Sequence, residues 1–174
     1  GNHLFPQAWT VAHQNCREEI IKRSQPDPAW LAQKFPRYDF GGVRYVLPQI
    51  TFQDRLKIFQ GERCLELLYH DTCHSASDIA VHLPEEKTVF CGDYVFYKNA
   101  PLGLDSSFVN WIRALDKLAA LRADHYVPGH GPVCGVDGLL EAKGYLELVY
   151  REAEKRYRAG MPPGDAALDI DLGQ

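Results

Sequence analysis

Three short segments each place one histidine or aspartate at the end of an apolar run, in a turn made of small residues. They are the segments 71–78, 89–93 and 126–132, which carry His74, Asp93 and His130, respectively. Strand ends are rigid, and small neighbours let a ligand come close to the backbone. Imidazole and carboxylate groups together suit zinc, iron or manganese. The pattern therefore predicts a metal site, provided that the three segments meet in space.

Each segment also has an ordinary explanation when it is taken alone. A single histidine in a turn is usually a surface or capping residue, Gly-Asp after a strand is usually a turn, and Pro-Gly-His-Gly-Pro makes a rigid loop. The other histidines lack such surroundings, and we interpret them as structural or surface residues: His3, His13, His70, His82 and His125. Alternation within its strand predicts that His82 faces solvent.

The elements that must position these residues follow from periodicity and turn signals. Alternation with period two predicts strands over 50–52, 55–59, 64–69, 79–83 and 88–91, with further short strands over 8–13 and 124–127. Helical spacing and capping predict helices over 15–24, 106–121 and 136–158. The proline-rich stretch 25–49 is predicted as loop with one helical turn near 29–34. Antiparallel strands followed by helices predict an α/β class, with one domain over 1–160 and an irregular tail over 161–174.

Composition excludes several function classes. The 174 residues carry a net charge of −4 with dispersed basic residues, which argues against a nucleic-acid surface. No apolar run approaches the roughly 18 residues of a membrane span. Five cysteines, an odd number without a CxxC pair, predict reduced thiols and a cytoplasmic location. The chain has no initiator methionine, so we expect a processed chain or one part of a longer product.

Taken in order, the three segments resemble the metallo-β-lactamase superfamily. A histidine turn like His74-Ser75-Ala76-Ser77-Asp78 is followed there by a strand ending in Gly-Asp, here Gly92-Asp93, and later by Pro-Gly-His-Gly, here 128–131. The opening residues 1–5, Gly-Asn-His-Leu-Phe, are similar to the Gly-Asn-x-x-Phe that follows the HxHxDH motif of that family. The resemblance runs from residue 1 to about residue 150.

The resemblance implies a fold, a site and a reaction. The fold would be the C-terminal part of a four-layer αββα sandwich with a mostly antiparallel or mixed sheet and outer helices. His74 matches the third histidine of the first metal site, Asp93 the carboxylate that bridges both metals, and His130 the histidine of the second site. Two zinc ions, with iron or manganese as alternatives, would then lie about 3.5–4 Å apart and activate a water molecule. Such a site cleaves an ester, thioester, lactone or amide-type bond, with Asp93 as the catalytic carboxylate.

The HxHxDH ligands have no counterpart in this chain, so we expect the 174 residues alone to be inactive. The loop 94–104 follows the aspartate strand, and its Tyr94, Tyr97 and Lys98 are candidate contacts to a small-molecule substrate; an ordinary surface loop is the alternative. Cys73 and Cys91 lie beside the motifs. We interpret them as small buried fillers, with a redox or extra-ligand role as the alternative.

Two other functions stay open from the sequence. One is a non-catalytic scaffold or association protein that has lost its metal, and the other is a metal-binding redox module built on His74, Cys73 and Cys91. In the superfamily two sheets pack face to face. We therefore expect an apolar sheet face, including some of Ile79, Val81, Val89 and Phe90, to be covered by an upstream segment of the same protein or by a second copy of the chain.

Overall fold

The computed structural model describes residues 2–23, 28–103 and 105–172. The predicted helix end at Ser24, the loop positions 25–27, Leu104, Gly1 and the last two residues of the tail lie outside the described residues. The chain divides into two compact units, residues 1–55 and 56–174. None of the helices in the described ranges is both long enough and apolar enough to cross a membrane.

The first unit is small and mixed. It begins with a 3-10 turn at Asn2–Leu4, followed by strand β1 (Val11–His13), helix α1 (Gln14–Arg23), helix α2 (Pro28–Lys34) and strand β2 (Ile50–Phe52). The strands β1 and β2 pair in parallel, with Val11 opposite Ile50. Arg17 donates a 2.8 Å hydrogen bond to the carbonyl of Pro48, which ties α1 to the segment leading into β2.

The second unit is a five-stranded sheet with helices. Its strands are β3 (Arg55–Gln60), β4 (Arg63–Tyr69), β5 (Ile79–Leu83), β6 (Thr88–Phe96) and β7 (His125–His130), in the spatial order β3-β4-β5-β6-β7. The pairs β4–β5 and β5–β6 are antiparallel, whereas β6–β7 is parallel. The helices are α3 (Phe108–Ala119), α4 (Val136–Arg158) and α5 (Pro163–Asp169). The α3 crossover between β6 and β7 is what allows these two strands to run in parallel.

The core lies between one face of this sheet and the helices α3 and α4. The sheet contributes small and medium side chains, and α3 contributes a stripe at helical spacing that includes Trp111, Leu115 and Leu118, all with at most 1% of their area exposed. Outside the core, Lys143 of α4 makes a 2.6 Å ion pair with Asp116 of α3. The strands that carry the candidate site are thus held rigidly from the helix side.

The opposite sheet face is also apolar but is less well covered. Val81 pairs with Phe90, and Phe90 pairs with Val127, so these three side chains share that face. Phe90 is 47% exposed, while Ile79 and Val81 are half-buried. Of the four candidates for this face, Val89 points the other way and is fully buried in the helix-side core.

Most predicted elements are present, and the mixed sheet with helices confirms the α/β class. Three details are wrong. β6 and β7 continue past Gly-Asp and Pro-Gly to Phe96 and His130, so the motif residues lie within paired strands. Residues 163–169 form a helix, whereas an irregular tail was predicted. His82 is only 8% exposed, and its Nδ1 lies 3.0 Å from Glu66 Oε2 on the neighbouring strand, so its buried polar ring has a partner.

Candidate functional site

The loop 70–78 connects β4 to β5 and carries His74. Its turn is closed by Asp78, whose carboxylate accepts hydrogen bonds from the backbone N–H and the hydroxyl of Ser75. The backbone N–H of Ser107, just before α3, donates a 2.9 Å hydrogen bond to the carbonyl of Cys73. The loop is therefore fixed both internally and against α3, which gives His74 a defined position.

The buried hydroxyl of Tyr94, on strand β6, joins the two ends of this loop. Tyr94 of β6 donates a 2.8 Å hydrogen bond to the carbonyl of Asp78 and accepts a 3.1 Å bond from the N–H of His70. Its own carbonyl accepts a 2.7 Å bond from the indole N–H of Trp111. Burial raises the pKa of the Tyr94 phenol, so this hydroxyl stays protonated and keeps both bonds.

Asp93 is presented by an irregularity in β6. Gly92 has φ +52°, and the pairing with β7 shifts register on both sides of it. A glycine in this left-handed conformation lets the strand bulge and redirects the side chains that follow. The facing residue on β7 must be small, because a Cβ on Gly129 would lie 2.1 Å from Asp93 Oδ1 and 2.8 Å from the Gly92 carbonyl carbon.

His130 ends β7 opposite Phe96 of β6. The N–H of Tyr97 donates a 2.9 Å hydrogen bond to the carbonyl of His130. The next residue, Gly131, has φ +102°, and a Cβ there would come within 1.9 Å of the Tyr97 carbonyl oxygen. The Pro-Gly-His-Gly sequence is thus explained by the close approach of two backbones at both glycines.

The three predicted metal ligands meet at one edge of the sheet. His74 Nδ1 lies 3.7 Å from Asp93 Oδ2, and His130 Nε2 lies 3.5 Å from Asp93 Oδ1. The side chains of His74, Asp93 and His130 are 24%, 36% and 56% exposed, so the site is open to solvent. Asp93 stands between the two imidazoles, with a different oxygen facing each.

This donor set has the right chemistry for a transition metal but is incomplete as a cage. In the ranges that the structure describes, no group of three or more His, Cys, Asp or Glu side chains is arranged to hold a metal ion. The arrangement is two imidazole–carboxylate pairs that share Asp93. Structural zinc is bound by four ligands and catalytic zinc by three or more, so each pair needs further donors.

Aromatic rings pack directly against both histidines. The ring of Phe96 stacks on His130 with 4.5 Å between centroids and 14° between planes. The rings of Trp111 and His74 meet edge to face, with 5.6 Å between their centroids. The imidazoles therefore have an apolar backing on one side and face Asp93 on the other.

A family model supplies the comparison that decides the class. The model of the metallo-beta-lactamase superfamily matches residues 1–130, which are three quarters of the chain and include His74, Asp93 and His130. The chain belongs to the metallo-β-lactamase superfamily.

Individual relatives agree with this membership. The Bos taurus acyl-coenzyme A thioesterase MBLAC2 is 25% identical over 142 residues, which cover 74% of this chain and 45% of that protein. A metallo-beta-lactamase from Pontibacter korlensis superimposes with a TM-score of 0.55 at 25% identity, covering 68% of this chain and 54% of the other. The DIM-1 metallo-beta-lactamase exposed to ceftazidime gives a TM-score of 0.60 at 18% identity, with coverages of 82% and 57%. The chain thus spans about half the length of the superfamily members it matches.

The predicted substrate contacts do not share one environment. Tyr94 is 1% exposed and holds the His74 loop, so its assignment as a substrate contact is corrected to a supporting role. Tyr97 and Lys98 line a cavity of about 230 Å³ together with Asn99 and, from α4, Glu141 and Tyr145. Lys98 Nζ lies 5.1 Å from the Tyr97 ring centroid. Contact of these two residues with substrate stays a prediction.

The two cysteines beside the motifs are buried thiols. Cys73 and Cys91 have no exposed area, and their sulfurs lie 3.4 Å and 3.5 Å from the carbonyls of His70 and Val89. Burial raises the pKa of each thiol to about 12, so both are protonated at neutral pH. These surroundings favour the interpretation as small fillers.

Several supporting residues were missed in the sequence. Three residues contact His74 or its loop: Asp78, Phe96 and Trp111. Of these, only Asp78 lies in one of the three motif segments. The spacing of Asp78, three residues after a serine in a turn of small residues, is typical of a side chain that closes a turn. The roles of Phe96 and Trp111 had no local signal, because they depend on contacts between distant segments.

His70 gives the second unit a predicted acid sensitivity. Its half-buried ring has an Nε2 without a hydrogen-bond partner in the described part of the chain, and burial, with a smaller contribution from Lys117, lowers its pKa to about 4 from 6.5. Between these values the unfolded chain binds a proton that the folded chain does not. The free energy of unfolding should therefore fall by about 2 kcal/mol between pH 7 and pH 5 because of this residue. Urea unfolding of the wild type and of His70→Phe at pH 7 and pH 5 measures this change in the free energy of unfolding.

The control for this experiment is His125→Gln, which changes an exposed histidine of β7. We expect His70→Phe to lose part of the pH dependence and His125→Gln to keep it. Equal pH dependence in the wild type and His70→Phe would contradict the assignment.

Proposed function

We propose that this chain is part of a metal-dependent hydrolase in which His74, Asp93 and His130 bind metal, with zinc as the preferred ion and iron or manganese as alternatives. The observation that carries the proposal is the convergence of these side chains from three distant segments, with Asp93 between two imidazoles. Local sequence does not force such a meeting. Imidazole with carboxylate is also the donor set that zinc enzymes use.

The chain's own residues would prepare the site in three ways. Asp93 directs one oxygen toward each imidazole, so its negative charge serves both sides of the site. Asp78 and Tyr94 hold the loop of His74, and the small Gly129 leaves room for the Asp93 carboxylate. A bound metal would supply Lewis acidity and lower the pKa of a coordinated water toward neutrality.

A complete metal site needs more ligands than the described residues bring together. We propose that an upstream segment of the same protein or a partner chain supplies them. Two observations support an external source of ligands. The described residues bring together too few donors to hold a metal ion, and the chain spans only about half the length of the relatives that it matches. The chain alone is then expected to bind zinc weakly and to hydrolyse nothing efficiently.

The proposed substrates have a scissile carbonyl in an ester, thioester, lactone or amide-type bond. A thioester is the first to test, because the Bos taurus relative is named an acyl-coenzyme A thioesterase. Tyr97 and Lys98 would contact the substrate from the cavity beside Phe96. All five cysteines are free thiols, which supports a reducing compartment such as the cytoplasm.

Zinc binding tests the proposal directly. The metal-free chain is titrated with zinc against a chromophoric chelator, alongside Asp93→Asn and, as a matched control on β7, His125→Asn. We expect weak binding that Asp93→Asn reduces at least about tenfold and His125→Asn leaves unchanged, because ligands contribute far more than exposed residues. Equal zinc binding by the wild type and Asp93→Asn would refute the site, and two zinc ions retained after dialysis would refute its incompleteness.

Activity is measured on the protein purified from its natural source. Release of coenzyme A thiol from acyl-coenzyme A, and hydrolysis of ester and lactone substrates, should require added or resident metal and be lost with a chelator. Hydrolysis that continues unchanged after complete metal removal would overturn the metal-dependent mechanism.

The partly open sheet face leads to a prediction about association. Phe90 is 47% exposed beside the half-buried Val81, and burying such a side chain is worth about 1.5–3 kcal/mol. We propose that an upstream segment or a second copy of the chain covers this face. Sedimentation of the purified 174-residue chain should therefore show association, which Phe90→Lys weakens. A stable, monodisperse monomer of 19.7 kDa would contradict this.

A further inference from the structure

We infer that Phe96 is a positioning residue that orients both candidate histidine ligands toward Asp93. The inference rests on the proposed function, because it concerns the same site. It assigns a role to a side chain that cannot bind metal itself and that lies three residues after Asp93 on β6.

Backbone pairing places Phe96 beside His130. The two residues are register partners on β6 and β7, and the adjacent Tyr97 N–H donates a 2.9 Å hydrogen bond to the His130 carbonyl. The rings lie nearly parallel, 14° apart with centroids separated by 4.5 Å. Rotation of the His130 ring out of this plane would break the stacking, so the contact fixes the plane of the imidazole.

The same ring also contacts His74, which arrives from a different loop. Its centroid lies 5.5 Å from that of His74 and 6.2 Å from that of Trp111, and Trp111 is itself 5.6 Å from His74. Phe96 is thus supported from behind by a fully buried tryptophan while it touches both imidazoles. A single side chain connects the two histidine segments.

Ring packing is the main contact that holds these imidazoles. The nitrogen–oxygen distances from His74 to Asp78 and Asp93, and from His130 to Asp93, are 3.5–3.7 Å. Such distances are longer than a good hydrogen bond. In most metal sites a hydrogen bond from the second nitrogen orients a histidine ligand. Here Phe96 orients two histidines through van der Waals contact.

Phe108 provides a matched control. It is also a half-buried phenylalanine, and its ring meets Trp111 edge-on at 6.0 Å. Leucine at position 96 or position 108 removes a similar aromatic contact with the core. Phe96→Leu removes, in addition, the contacts with His74 and His130. A difference between the two variants therefore reports on the histidines.

The experiment compares the wild type, Phe96→Leu, Phe96→Tyr and Phe108→Leu. In the metal-free chain at constant pH, the carbon-bound ring protons of His130 should resonate upfield because they lie over an aromatic ring. They should move downfield in Phe96→Leu but stay in place in Phe96→Tyr and Phe108→Leu. The zinc dissociation constant should rise about tenfold in Phe96→Leu, as for loss of other groups that orient metal ligands. Phe96→Tyr, which keeps the aromatic ring, should retain the zinc affinity of the wild type.

Equal zinc affinities or equal His130 shifts in Phe96→Leu and Phe108→Leu would overturn the inference, and so would failure of Phe96→Tyr to restore binding. If Phe96→Leu does not fold, Phe96→Met takes its place with the same expectations. Failure of the proposed function would give a different result, because the wild type itself would bind no zinc. The resonances of the metal-free chain would still decide whether Phe96 orients His130.

Discussion

Replacing Gly129 with alanine is expected to abolish zinc binding and to lower the free energy of unfolding by about 3 kcal/mol. The new Cβ would lie 2.1 Å from Asp93 Oδ1 and 2.8–2.9 Å from the carbonyl carbon and oxygen of Gly92. The carboxylate can rotate away, but it then leaves its place between the two imidazoles. The Gly92 backbone cannot rotate away, so β6 and β7 must separate locally. Zinc titration and urea unfolding measure the two effects.

Gly144→Ala is the control for this substitution. Gly144 lies in α4 and is exposed, and a Cβ at this position would meet no atom within 4 Å outside its own helix backbone and chain neighbours. Alanine there should stabilise the helix by about 0.5–1 kcal/mol and leave zinc binding unchanged. Wild-type zinc affinity in Gly129→Ala would show that Asp93 does not depend on this close approach.

Replacing Trp111 with alanine is expected to cost about 3–5 kcal/mol of unfolding free energy, as for other buried aromatic residues. Its indole is 1% exposed, donates a 2.7 Å hydrogen bond to the Tyr94 carbonyl, and packs against the rings of Phe96 and His74. The substitution leaves a cavity beside His74 and removes the indole hydrogen bond to the Tyr94 carbonyl. Urea unfolding followed by circular dichroism measures the loss.

Two further variants show where this loss comes from. Trp111→Phe keeps an aromatic ring but leaves the Tyr94 carbonyl without its donor, and it should cost about 1–3 kcal/mol. Trp30→Ala, which changes a 53% exposed tryptophan of α2, should cost less than about 1 kcal/mol. A Trp111→Ala variant as stable as Trp30→Ala would contradict the placement of Trp111 in the core.

The sequence was sufficient for features that depend on neighbours along the chain. Period-two alternation located the strands β3 to β6, and helical spacing located α3 and α4, since one buried face imposes each pattern. Two of the three motif segments, 89–93 and 126–132, were also recognisable from their glycines, because positions 92, 129 and 131 are required by backbone geometry that few other residues tolerate. The meeting of His74, Asp93 and His130 was predicted through the superfamily resemblance rather than from these local patterns.

Only the tertiary structure decided which way several side chains point. His82 alternates like a solvent-facing residue, yet it is buried, and Glu66 of the neighbouring strand pairs with its ring. Tyr94 follows a candidate ligand and lies at the start of a predicted loop, yet the bulge at Gly92 turns it into the core, where its hydroxyl joins the ends of the His74 loop. Phe96 acquires its two histidine contacts from segments far away in the chain. The periodicity of a strand or helix indicates that one of its faces is buried. The residues that bury this face come from another part of the chain, so these contacts form only once the strands have paired.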